Sequence, residues 1–176
     1  AHESGALARD ILAKIPEWTP YGLIETSESG YQLADAVMVL SHRTIDLRSY
    51  CSEWLPEMLK DAALTYLRLQ IRLIQDQYLL KDGHPWNFLF DHGRPIYIDV
   101  GSIIPYEKSR LNQALAEFRL YFLLPLRLFS LWGSARAYAF LNAPIPNDAE
   151  REKIAFEIGL EQLHIPRWYG ITFFLN

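Results

Sequence analysis

Apolar and polar positions change period several times along the chain, and each change predicts an element. Gly5 to Ile15 carries apolar residues at helical spacing, which predicts a short helix ending before Pro16. Trp18-Thr19-Pro20 reads as a turn. Tyr21–Thr26 and Tyr31–Leu40 are β-prone and flank the turn cluster Ser27-Glu28-Ser29-Gly30, so the pattern predicts a β-hairpin. Residues 41–52 have no clear period and are expected to cross between two layers. Glu53–Tyr78 is the strongest helix: Leu55, Leu59, Ala62, Tyr66, Leu69 and Leu73 form one apolar stripe, with Lys60, Asp61, Arg68, Arg72 and Gln75 on a more polar flank.

The stretch Leu79–Ser102 then reads as a polar loop, a strand, a turn and a second strand. Asn87–Phe90 alternates, Asp91-His92-Gly93-Arg94 supplies a turn with glycine available for positive φ, and Pro95 opens the next strand. Alternation places Ile96, Ile98 and Val100 on one face and Tyr97 and Asp99 on the other. Asp82, Asn87 and Asp99 are the side chains here that can hold a metal or move a proton. Helical spacing returns from Glu107 to Trp132, with Leu111, Leu115, Phe118, Phe122 and Leu126 in the stripe and Pro125 dividing it. Ser134–Leu141 and Asp148–Leu163 predict two further helices, and Arg167–Asn176 is apolar and aromatic. The fold class is α+β and mostly helical, with a small β element before the long helix.

Composition narrows the choices. The chain has 176 residues, half of them hydrophobic, enough for a core of its own. A net charge of −4 argues against nucleic acid as the main partner. Leu120–Trp132 is the most apolar run, but Pro125 and Arg127 interrupt it and it is too short to span a bilayer. The expectation is therefore no membrane partner. One cysteine, Cys51, excludes an internal disulfide framework and suits a reducing, cytoplasmic setting. His42 and His92 have no zinc spacing with each other or with Cys51. The polar opening Ala1-His2-Glu3-Ser4 predicts no signal peptide, and the chain is expected to be a fragment of a longer protein.

Asp82-Gly83-His84-Pro85-Trp86-Asn87 resembles the D-x-H-P-x-N catalytic loop of the protein-kinase-like superfamily in its small-molecule branch, the aminoglycoside and choline kinases. Ile98-Asp99-Val100-Gly101 resembles their metal-binding I-D-x-G segment. Glu53-Trp54, Met58–Ala63, Leu80-Lys81-Asp82 and Phe118–Leu126 further resemble a bacterial nodulation-related group, in which a kinase-like segment precedes a SAM-dependent methyltransferase domain. The resemblance covers roughly residues 36–130. It implies a kinase-like C-lobe over 51–176, with 1–50 as the remnant of an N-lobe or hinge. It implies phosphoryl transfer from ATP with Mg²⁺ to a small hydroxylated acceptor: Asp82 as base, Asn87 and Asp99 as metal ligands binding the cofactor. Lys81 for phosphate charge and His84 for loop geometry are the second-rank catalytic candidates. Two departures from the kinase pattern stand out: Lys81 stands where these kinases usually place Arg or Gly before the catalytic Asp, and no glycine-rich phosphate loop or following strand lysine precedes residue 40. Nor is a glycine-rich SAM-binding turn present. The alternative is a non-catalytic module that positions an adjoining methyltransferase domain.

Overall fold

In the computed structural model, residues 2–46, 48–133 and 148–159 are described. The fold is α+β. Helix α1 covers His2–Trp18, nearly a turn longer at each end than its apolar pattern predicts, and it runs through Pro16. A mid-helix proline forfeits one hydrogen bond and crowds the carbonyl four residues back. Burial of Ile11, Ile15 and Trp18 holds the last turn in place despite that loss. Trp18 also donates its Nε1–H to Asp76 Oδ2 at 2.7 Å, across to the C-terminus of the next helix.

Strands β1 (Thr26–Glu28) and β2 (Leu40–His42) pair antiparallel, Thr26 opposite His42. The predicted hairpin is therefore present but displaced. Its strands are three residues each, and the supposed turn Ser27–Gly30 begins inside β1. Most of Tyr31–Leu40 is a loop in which Tyr31, Leu33 and Val37 stand exposed. β-prone residues without a surface to pack on do not hold a strand. Residues 41–52 cross toward helix α2, burying Ile45 on the way. Trp54 is buried edge-on to Phe90, with its Nε1–H donated to Ser49 Oγ at 3.0 Å.

Helix α2 spans Pro56–Gln75, with proline at its start, where the missing N–H costs nothing. Its buried face is Leu59, Ala62, Ala63, Tyr66, Leu69, Gln70 and Leu73, as the period requires except in two respects. Leu55 precedes the helix and is exposed, and the polar Gln70 is inside. Strand β3 (Tyr78–Leu80) pairs antiparallel with β6 (Ile103–Pro105), a pairing absent from the sequence reading, which gave Leu79 and Leu80 to a polar loop. Between them lies the hairpin of β4 (Phe88–Asp91) and β5 (Arg94–Tyr97), Phe88 opposite Tyr97. Its turn has φ +48° at His92 and +78° at Gly93, the two left-handed residues of a type I′ turn. Leu23 bridges parallel to Tyr97 at the end of β5: the Tyr97 N–H donates to Gly22 O at 2.7 Å and the Ile24 N–H donates to Tyr97 O at 2.9 Å.

Helix α3 (Lys108–Phe118) passes through a π-turn at Arg119–Leu123 into α4 (Leu124–Trp132). Pro125 cannot donate to residue 121, and widening the preceding turn relieves its ring clash without breaking the helix. The division predicted at Pro125 thus takes the form of a bulge. Helix α5 is Asp148–Glu157; it packs on the π-turn through Arg119–Glu152 at 2.5 Å and Arg151 over the Tyr121 ring at 4.6 Å. The predicted helix at 134–141 and the aromatic tail 167–176 lie outside the described residues. One core cluster runs from Ile11 on α1 through α2 and the hairpin to Phe122. No helix among the described residues is long and apolar enough to cross a membrane.

The α1–α2 junction yields a pH prediction. Partial burial works against a charge on Asp76, but the Trp18 N–H and the Arg72 guanidinium at 2.6 Å outweigh it and hold the carboxyl below its usual 3.8. A lowered folded-state pKa stabilises above the unfolded value and loses that stabilisation as pH falls through the folded one. Asp76→Asn is therefore expected to melt below wild type at pH 7, with the gap narrowing as pH drops below 3.8. A gap that is constant with pH in thermal melts contradicts this.

Candidate functional site: the Asp82 loop and the hairpin end

The site begins at the end of β3. Leu80 is fully buried, and its outward N–H and C=O meet the Gln70 side chain, which accepts at 2.8 Å and donates at 3.2 Å. The Gln70 amide thus acts like one more strand on the open edge of β3, and it fixes where the loop leaves. Lys81 donates its backbone N–H to Ser102 O at 3.0 Å, while its side chain is exposed.

Gly83 is pressed against α3. A Cβ there would lie 2.1 Å from Ala114 O and 2.8 Å from Phe118 N, so only glycine permits the approach. Glu117, from the same helix, accepts the Gly83 N–H at 3.0 Å. This charge-assisted bond ties the residue next to Asp82 to α3.

The far side of the loop is a short 3-10 turn, Pro85–Asn87, that leads straight into β4. Hairpin register brings Asn87 back to the end of β5: Ile98 donates its N–H to Asn87 O at 2.8 Å. The Asn87 amide then lies 3.4 Å from Asp99 Oδ2 and 3.2 Å from the Tyr97 hydroxyl. Tyr97 is fully buried, and its hydroxyl is shared with Ser102 Oγ at 2.7 Å and reaches Asp82 O at 3.5 Å. Ser102 in turn donates to Asp99 O at 2.9 Å. Burial pushes the Tyr97 hydroxyl well above its ordinary pKa, so it serves as a neutral hydrogen-bonding hub.

Asn87 and Asp99 are therefore side by side, and Asp82 is joined to them through its carbonyl and Tyr97. Asp82, Asn87 and Asp99 are each only partly buried, so the group is open to solvent on one side. Lys81 is exposed, with no ion pair or side-chain hydrogen bond among the described residues. The buried Nδ1 of His84 has no hydrogen-bond partner, and its ring packs edge-on to Trp86 and Tyr121, with centroids at 5.1 and 6.3 Å.

Among the described residues no three His, Cys, Asp or Glu side chains cluster as a metal site. The adjacent donors are the Asp99 carboxylate and the Asn87 amide. As placed, the Asn87 amide turns its Nδ2 toward Asp99; a half-turn about its Cβ–Cγ bond exchanges nitrogen for oxygen. Oxygen donors of this kind suit Mg²⁺ rather than softer metals.

Gln70, Glu117, Tyr97 and Ser102 were not singled out as site residues from sequence. A polar Gln on an apolar helix stripe was the one local signal available for Gln70. The others gain their roles only through contacts made on folding.

No family model matches the chain. Among curated proteins, it is 37% identical over 94 residues to the nodulation protein NoeA of Rhizobium meliloti (strain 1021). The matched segment is 53% of this chain and 20% of NoeA, so the chain spans a small part of that relative. These findings correct the resemblance drawn from short motifs. The similarity found is distant, partial and to a nodulation protein, with nothing kinase-like in it, and the assignment to the kinase-like superfamily does not stand.

Proposed function

We propose that Asn87 and Asp99 hold Mg²⁺ against the phosphates of ATP, and that Asp82 accepts the proton of a small hydroxylated acceptor during phosphoryl transfer. The observation that carries this is the pairing of Asn87 with Asp99, the amide 3.4 Å from the carboxylate, beside a loop whose Asp82 backbone carbonyl meets the same Tyr97 hydroxyl. Phosphoryl transfer needs little covalent help from a protein. It needs positioning and charge neutralisation, with a base at the acceptor hydroxyl. When bound, Mg²⁺ supplies neutralisation of the phosphate charge. The chain's own contribution is geometric. Gln70, Glu117 and Tyr97 fix the loop backbone that carries Asp82.

Removing Asp82 tests the role directly. Asp82→Ala is expected to lower transfer of phosphate from ATP about 10²–10⁴-fold, the usual worth of a positioned base, while leaving Mg²⁺–ATP affinity within a few-fold of wild type. Unchanged transfer by Asp82→Ala removes it as the base.

A second reading rests on the length of NoeA, of which the matched segment is 20%. In that reading the chain has no chemistry of its own and docks an adjoining SAM-dependent methyltransferase domain. It predicts no Mg²⁺-dependent nucleotide binding at all.

A further inference from the structure

A cavity of about 470 Å³ opens beside the hairpin, between it and the crossing segment 42–51. That volume lies within the range of roughly 300–1,000 Å³ typical of small-molecule pockets. Its floor is apolar, with Ile24, Phe88, Leu89 and Ile98, and the Trp86 and Tyr50 rings stand at its wall, 43% and 69% exposed. Its charge is one-sided. The chain has 21 acidic residues against 17 Lys and Arg, yet among the described residues no Asp or Glu lines this cavity, while Arg43 and Arg48 do.

The two arginines are not equivalent. Arg43 is held by Asp91 at 2.7 Å and Glu25 at 3.7 Å, so its charge is answered within the fold. Arg48 is exposed and has no ion pair or hydrogen bond among the described residues. Cys51, also in the wall, does not compete as a nucleophile: burial pushes its thiol up to about 11.

We propose that this cavity binds a planar organic anion, its ring stacked between the apolar floor and Trp86, its carboxylate or similar group paired with Arg48. Flat aromatic walls favour a ring, because both faces lose water on contact. A guanidinium at the rim selects the charged head, since its planar fork matches a carboxylate. Asp82, Asn87 and Asp99 are not among the lining residues, but Trp86, Phe88 and Ile98 are chain neighbours of Asn87 and Asp99, so the cavity adjoins the candidate site; a test without metal or nucleotide keeps its outcome separate from that of the phosphoryl-transfer reading.

Calorimetric titration of the wild-type chain with 2-naphthoate and with neutral 2-naphthol, without metal or nucleotide, tests it. The expected result is naphthoate binding about tenfold more tightly than naphthol, as one charge-assisted pair allows. Arg48→Gln should erase that preference and leave naphthol affinity and the melting temperature unchanged. Equal affinity for the two ligands, binding of neither, or an Arg48→Gln chain that keeps the preference would each overturn the proposal.

Discussion

Replacing Gly83 with alanine is expected to cost about 2–3 kcal/mol and to lower the melting temperature by roughly 5–10 °C for a chain of this size. The reason is backbone, not side chain. The new methyl would meet Ala114 O at 2.1 Å and Phe118 N at 2.8 Å, and neither atom can retreat without moving α3. Relief comes only by lifting the loop, which also lengthens the Gly83 N–H bond to Glu117 and shifts Asp82. Gly30→Ala is the control. Nothing lies within 4 Å of a Cβ there and its φ is not in the left-handed region, so its melt should match wild type. If Gly83→Ala melts with wild type as well, the close packing of loop on helix is not real.

Gln70→Leu should be of similar size. Leucine keeps most of the volume but leaves the Leu80 N–H and C=O without partners in a site where Gln70 is 3% exposed. Each orphaned buried group costs about 1–3 kcal/mol, so a loss of about 2–4 kcal/mol is expected in urea unfolding at neutral pH. Because Leu80 immediately precedes Lys81 and Asp82, faster hydrogen exchange should concentrate at residues 80–83. A loss below about 0.5 kcal/mol, typical of a neutral surface change, would mean that the edge of β3 finds other partners.

How much of this the sequence carries depends on the length scale of each signal. Helix α2 is legible because twenty residues repeat one stripe, and the β4–β5 hairpin because its turn needs positive φ where His92 and Gly93 stand. The approach of Asn87 to Asp99 follows from that same register, Phe88 opposite Tyr97. Three-residue strands such as β3 and β6 show no alternation to read, so their pairing appears only in three dimensions. The continuation of α1 through Pro16 rests on Ile15, Trp18 and Asp76, the last of them 60 residues away from Pro16 in sequence and invisible to local propensity. Glu117 looks like any exposed helix carboxylate until Gly83 lies against it. The kinase-like assignment failed for a different reason: a few matching letters in a short loop resemble many proteins, whereas the similarity found over 94 residues is to the nodulation protein NoeA.

The most direct measurement is calorimetric titration of ATP, with and without Mg²⁺, into the wild-type chain and into Asp99→Ala. The account predicts wild-type binding that requires Mg²⁺, abolished in Asp99→Ala while that variant still unfolds cooperatively. Absence of Mg²⁺-dependent ATP binding by the wild type, or binding that Asp99→Ala leaves unchanged, would contradict it.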